Sequence, residues 1–278
     1  MPQRRVAFQG ELGAYSEEAV VCACGREVEL VPCRENRDVV RAVADGTADH
    51  GVLPLENTLA GTVTASYDAI ADEPTVHAVG EVVIPIHHCL LGVGNATLDS
   101  LRVVESHPVA LAQCAGFLER HAWLQPRAAY DTAGAAREVA RANDPTRGAI
   151  AGRPAADRYG LAVLATDVED RPDNQTRFIL VSRTPSNLAD GAAAKSILIL
   201  STPNTPGALV RVLVPIAERG LNLTKIESRP TGEPWTYRFV LEFEHVAGDP
   251  AADEALRAVR AASASFHVAG TYELTRTV

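Results

Sequence analysis

Short apolar runs alternate with stretches of helical spacing along the chain as far as about residue 184. Val6–Gln9, Val28–Val31, His50–Leu55, Arg102–Glu105, Ala128–Tyr130, Gly148–Ala151 and Leu161–Ala165 are brief and bounded by turn or cap residues, which predicts strands. Between them, Ser16–Cys24, Asn36–Ala44, Thr64–Ala71, a stretch ending near His121, another ending at Ala142, and Pro154–Tyr159 read as helices. Val39, Val40 and Val43 share a face of the second helix, and Ser16 is expected to cap the first, with Glu17 and Glu18 in its opening turn. Strand alternating with helix predicts crossover units and a mostly parallel sheet. Val76–Val93 holds two apolar stretches broken at Pro85-Ile86-His87-His88, and it is expected to carry the chain into a second α/β lobe, with the return near Gly160. The reading is a catalytic domain over 1–184, with lobes at roughly 1–77 plus 160–184 and at 78–159.

Residues 185–195 are small and polar, with Pro185 and Gly191 among them, and read as a linker. The pattern then changes. Ser196–Leu200 is a strand, Pro206-Gly207 opens a helix with Leu209, Val212, Leu213 and Ile216 on one face, and Leu223–Ser228 is a strand. Trp235–Phe243 alternates with period two, Asp249–Ala261 is a helix and Phe266–Leu274 a last strand. That order, β-α-β-β-α-β over 196–278, is the ferredoxin-like plan.

The formal charge of -9 shows no basic face for nucleic acid. Any anionic substrate must therefore be held by local positive potential, not by the field of the whole protein. The five cysteines lack metal-finger spacing and fit reduced thiols in a cytoplasmic protein. No segment reads as a signal peptide or membrane span. His87 and His88 are adjacent on a predicted strand, so they face opposite sides and cannot share one metal.

Candidate chemistry centres on Arg171–Val181, which opens polar and closes as a strand. Thr176 and Arg177 stand where loop becomes strand, and a hydroxyl beside a fixed cation suits an anion carrying a leaving group. The same pair also fits an edge-strand threonine beside a solvated arginine. Asn57-Thr58, Ser106-His107 and Asp131-Thr132 likewise sit at strand exits, where open α/β sheets bind ligands. As a set they describe a cleft of neutral donors suited to a small dicarboxylate; singly, Ser106, Asp131 and Thr132 fit plain helix caps.

Several stretches resemble the bacterial prephenate dehydratase family, and the resemblance covers nearly the whole chain. They are Gly10-Glu-Leu-Gly-Ala-Tyr-Ser16, Leu53-Pro-Leu-Glu-Asn-Thr58, Ser106-His-Pro-Val-Ala-Leu-Ala-Gln-Cys114, Thr132-Ala-Gly-Ala-Ala136 and Asn174-Gln-Thr-Arg-Phe178. Pro206-Gly-Ala-Leu209 and Leu223-Thr-Lys-Ile-Glu-Ser-Arg-Pro230 resemble an ACT regulatory domain. The resemblance implies a two-lobed α/β catalytic domain like periplasmic binding proteins, followed by a ferredoxin-like ACT domain. It implies loss of water and carbon dioxide from prephenate to give phenylpyruvate in phenylalanine biosynthesis, without metal or organic cofactor. Arogenate dehydratase, or an amino-acid-binding sensor without turnover, are the alternatives. Thr176 is implied as donor to the departing hydroxyl, with Asn57 and Gln113 as its polar partners. Glu56, Thr58, Ser106, Thr132, Arg177 and Phe178 are implied to shape and bind. A phenylalanine site is implied at a subunit interface of a dimer or tetramer, from Gly207, Ala208, Leu209, Asn222, Leu223, Glu227 and Ser228. One departure is Val109, where the family often has Gln; it removes a polar group near the cleft mouth, which either tunes specificity or repacks that helix, and repacking is the favoured reading.

Overall fold

The computed structural model describes residues 3–274. The chain begins β1 (Arg4–Gln9), α1 (Tyr15–Cys24), β2 (Val28–Cys33), α2 (Asn36–Ala44), β3 (His50–Asn57), β4 (Gly61–Thr62), α3 (Thr64–Ala71) and β5 (His77–Pro85). It then crosses into β6 (Cys89–Gly92), a short 3-10 turn, β7 (Val103–Ser106), α4 (Pro108–Gln113), α5 (Ala115–Arg120), β8 (Gln125–Ala128), α6 (Thr132–Ala142), β9 (Arg147–Ala151), α7 (Arg153–Tyr159) and β10 (Ala162–Ala165). After the return come β11 (Gln175–Ser182), β12 (Ala193–Ser201), α8 (Ala208–Glu218), β13 (Asn222–Pro230), β14 (Tyr237–Val246), α9 (Pro250–Ala262) and β15 (Ser265–Glu273).

Two lobes follow from two sheets. The first lobe pairs β1 with β2 and β3 in parallel, while β11 runs antiparallel between β3 and β5. The second is a five-stranded sheet in the order β10-β6-β9-β7-β8, parallel only around β7. The antiparallel members are the strands next to the crossings, which must enter and leave each sheet in opposite senses. The crossings themselves differ from the sequence reading. β5 stays in the first sheet, so the outward crossing narrows to Ile86–His88. β10 pairs with β6, so the return lies at 166–174 rather than near Gly160. Glu169 ties the two segments together, bonding the His87 ring at 2.9 Å and the His88 amide at 2.8 Å.

Each lobe has its own core. Val6, Phe8, Val39, Val43, Leu53, Leu55 and Ile179 are buried in the first, and Leu90, Leu91, Val104, Val139 and Ile150 in the second. Ser16 does not cap α1; Ala14 holds the cap position and the Glu17 carboxylate accepts from the Gly13 amide at 2.6 Å. Cys114 interrupts the helix expected to run to His121, leaving α4 and α5.

The C-terminal β-α-β-β-α-β unit has strand order β13-β14-β12-β15, as the ferredoxin-like plan requires. Its strand β12 starts at Ala193, which shortens the linker. Its strands continue the first lobe's sheet through β15 and β5, where Gly270 faces Ala78; a Cβ on Gly270 would lie 2.2 Å from the Ala78 carbonyl oxygen, so only glycine fits. Among the described residues, no helix is long and apolar enough to cross a membrane.

Candidate active site

The polar strand exits converge on a hollow of about 340 Å³ between the lobes. Asn57, Thr176, Phe178, Tyr15 and Ser16 line it from the first lobe, Gln113, His107, Asp131 and Thr132 from the second, and His88 from the crossing. Larger hollows exist, one of about 650 Å³ on the C-terminal domain, but they do not gather the strand-end donors.

Strand geometry sorts the candidates. Thr176 is opposite Asn57 and Arg177 opposite Glu56 across the β11/β3 pair, and alternate side chains point to opposite faces. Thr176 and Asn57 therefore face the hollow, while Arg177 and Glu56 face the C-terminal domain. Thr176 is 8% exposed and accepts a 2.9 Å hydrogen bond from the Asn57 amide. The same amide nitrogen donates to Asn174 Oδ1 at 2.8 Å, and Asn57 Oδ1 accepts from the backbone of Leu59 and Ala60 at 3.0 and 2.8 Å. Gln113 reaches across the cleft to Asn57 Oδ1 at 3.3 Å, and its oxygen lies 2.9 Å from His88 Nε2. Tyr15 completes the row, its hydroxyl 2.9 Å from His88 Nδ1.

Burial dominates the electrostatics. It pushes the Tyr15 phenol well up, holds His88 below the ordinary histidine value, and raises the Asp131 carboxyl against the pull of the α6 amides. Among the described residues, the hollow's wall carries no lysine or arginine; the starts of α1 and α6 border it, the latter capped by Asp131, whose carboxylate accepts from the Gly134 amide at 2.7 Å.

Four of the expected binding residues lie elsewhere. Arg177 donates to Glu81 at 3.0 Å, Glu56 at 3.2 Å and Glu242 at 3.1 Å, and Glu242 belongs to β14 of the C-terminal domain. Burial works against its charge, but the carboxylates outweigh that and keep it a cation. Glu56 also binds Lys225 at 3.1 Å, so both residues belong to the domain junction. Ser106 is fully buried and donates to the Ile150 carbonyl at 2.6 Å, tying β7 to β9. Thr58 donates to the Asp173 carbonyl at 3.1 Å and accepts from the Gln175 amide at 3.0 Å, fastening the loop before β11. Val109 lines the hollow and is 40% exposed, so it presents an apolar side chain to the cleft. His88 and Tyr15 were not singled out from the sequence as lining residues; His107 was, as a strand-exit residue, and it lines the hollow. The usable signal for His88 was its place in the crossing, since crossing segments border the cleft by construction.

In the C-terminal domain, Gly207, Ala208 and Leu209 line the 650 Å³ hollow with Trp235, Tyr237 and Phe239. Asn222, Leu223, Glu227 and Ser228 do not line it; they lie on the edge strand β13, where Asn222 and Ser228 are exposed and Glu227 accepts from Thr62 at 3.1 Å.

A two-lobed domain with two crossing segments and donors lining its cleft, joined to a small ferredoxin-like domain, has the form of a ligand-enclosing catalytic protein with an appended sensor module. The prephenate dehydratase family model matches residues 6–186 and the ACT domain model residues 196–261, so the chain belongs to the prephenate dehydratase family and carries an ACT domain. A chloroplastic arogenate dehydratase/prephenate dehydratase of Arabidopsis thaliana is 37% identical over 99% of this chain and 74% of its own length. A bifunctional chorismate mutase/prephenate dehydratase of Enterobacter agglomerans is 32% identical over 96% of this chain and 70% of its own. Among solved structures, prephenate dehydratase of Arthrobacter aurescens in complex with L-Phe has a TM-score of 0.90 at 31% identity, covering 99% of this chain and 92% of that one. GqqA, described as a quorum quenching acylase, has a TM-score of 0.89 at 34% identity, covering 98% of each.

Proposed function

We propose that this chain converts prephenate to phenylpyruvate, water and carbon dioxide. One carboxylate leaves as carbon dioxide, its bonding pair enters the ring, and the ring hydroxyl departs as the ring becomes aromatic. The departing oxygen takes up one proton overall. A threonine is a poor acid, so Thr176 assists by a hydrogen bond to that oxygen. The observation that carries this reading is the Thr176 hydroxyl itself. Its oxygen accepts from Asn57 and, among the described residues, its proton has no acceptor, so it is left for a ligand in the hollow. A positioned donor of this kind contributes typically ~10²–10⁴-fold. Fixed dipoles in a closed cleft contribute on the same scale or more. Thr132 and Phe178 shape the cavity wall. No base contacts Thr176 among its hydrogen-bond partners, which argues against a nucleophilic role of the acylase type.

Arogenate dehydration is the second reading, and one observation favours it. The Asp131 carboxyl lines the wall, and an ammonium group on the substrate would pair with it. Incubation with prephenate and with arogenate in parallel, followed by product assay, tests both. Product from prephenate at the higher kcat/KM supports the main reading, a higher value for arogenate supports the second, and no product from either leaves a sensor.

The ACT domain is proposed to bind phenylalanine as feedback effector. Gly207 to Leu209 of one copy would face β13 of another, which explains why the two sets of expected residues lie apart in a single chain. Val210, Ile226 and Trp235, at 59%, 47% and 81% exposure, give that domain an apolar surface for self-association.

A further inference from the structure

We infer that His88 and Tyr15 are positioning residues for Thr176, ordering a one-way row of hydrogen bonds that leaves the threonine proton aimed at the substrate. The inference rests on the dehydratase reading of the cleft.

The direction of the row follows from the backbone. Asn57 Oδ1 faces the amides of Leu59 and Ala60, which only donate, so that atom is the oxygen and the other terminus is the NH₂ group. That group points at Thr176 Oγ1, so the threonine oxygen accepts and its own proton is left over. The Gln113 terminus facing Asn57 Oδ1 must then be its NH₂, and the terminus facing His88 its oxygen. An amide oxygen accepts, so His88 must carry a proton on Nε2. His88 is 2% exposed, and its burial favours the neutral ring. A neutral ring protonated on Nε2 has a bare Nδ1, which accepts from the Tyr15 hydroxyl. The hydroxyl's single proton is shared with the His87 carbonyl at 2.7 Å, in the same crossing.

Reversing any one link breaks the next. If His88 carried its proton on Nδ1, Nε2 would face the Gln113 oxygen lone pair to lone pair. Gln113 would turn over and present its oxygen to Asn57 Oδ1, lone pair to lone pair, pushing on the side chain that holds Thr176 against its Leu59 and Ala60 anchors. The row also crosses the cleft twice, from α1 to the crossing, to α4 in the second lobe, and back to β3. It is therefore complete only when the lobes are closed, which couples the aim of the threonine proton to closure. A histidine that merely fills space would need none of these directions.

Steady-state kinetics on full-length variants test this, with the fold checked by circular dichroism. His88→Leu removes the Nε2 donor, and kcat is expected to fall by about 10- to 100-fold, the scale of a misplaced catalytic group. KM should stay within roughly twofold, because His88 is 2% exposed and offers the substrate little surface of its own. His88→Gln puts an amide nitrogen near the former Nε2 and should recover most of kcat. His88→Asn reaches only the Tyr15 side and should not. Tyr15→Phe should lower kcat in the native background and have no further effect beside His88→Leu, since residues acting in one row are not additive. If His88→Leu fails to fold, the contrast between the Gln and Asn variants carries the test. Equal activity in those two, a loss confined to KM, or additive losses for Tyr15 and His88 would overturn the inference. A wild-type chain without turnover would defeat the dehydratase reading instead.

Discussion

Replacing Arg177 with leucine separates a substrate-binding role from a structural one. The arginine sits in a cluster with three carboxylates, Glu56, Glu81 and Glu242, and two further cations, Lys195 and Lys225. Without Arg177, Glu81 keeps Lys195 at 2.9 Å and Glu56 keeps Lys225 at 3.1 Å. Glu242 is left with the Tyr67 hydroxyl alone among its side-chain partners, and it is 1% exposed. An uncompensated buried charge of this kind costs about 3–5 kcal/mol. At roughly 2–4 °C per kcal/mol for a domain of this size, the melting temperature should fall by roughly 6–20 °C. Replacing a whole buried ion pair by apolar side chains is often near neutral. Arg177→Leu/Glu242→Leu should therefore be more stable than Arg177→Leu alone, by about 2 kcal/mol or more. Denaturant titrations of the wild type, Arg177→Leu, Glu242→Leu and the double variant give the coupling directly, and kinetics on the folded fraction give KM. A KM raised tenfold or more with unchanged stability would return Arg177 to the substrate, and additive stability losses would refute the account of the cluster.

Other consequences follow from the same geometry. Ser106→Ala strands the buried Ile150 carbonyl and should cost about 1–3 kcal/mol by denaturant titration, with kcat/KM essentially unchanged. Burial works against the Glu81 carboxylate, but Lys195 and Arg177 more than offset it and hold its pKa below the ordinary value. Its contribution is thus present above about pH 4.3, the unfolded value, and is lost as pH falls through the folded one. Stability measured from pH 7 down to 3 should decline most in that last interval, and less so in Glu81→Gln. Gly207 has φ +76° at the start of α8, so Gly207→Val should strain the turn and remove the phenylalanine response, a coupling of typically ~1–3 kcal/mol. Calorimetry and inhibition curves read that loss against unchanged basal turnover.

Much of the architecture was legible because period and punctuation are local properties. Val39, Val40 and Val43 marked a helix face, and the change after residue 184 marked a second domain. The crossings were harder. Nothing in the apolar run at 162–165 says which sheet takes it, because partner choice is decided by the surface already present, here β6. Thr176 and Asn57 were legible as polar residues at strand ends and Gln113 through motif resemblance, and the structure brings Thr176 and Gln113 each within hydrogen-bond reach of Asn57. Arg177 and Glu56 were misplaced by treating neighbours in sequence as neighbours in space. Strand alternation alone argued that Thr176 and Arg177 face opposite sides, but not which side holds the cleft. Ser106 shows a further limit, since a hydroxyl at a strand exit serves a buried carbonyl as readily as a ligand.

The account turns on a single hydroxyl in the interlobe cleft. Turnover of prephenate by the wild-type chain and by Thr176→Val, which keeps the shape and removes the donor, tests it most directly. Phenylpyruvate from the wild type, with kcat lower by about 10²–10⁴-fold in the folded variant, is the predicted result. Undiminished kcat in Thr176→Val would contradict it.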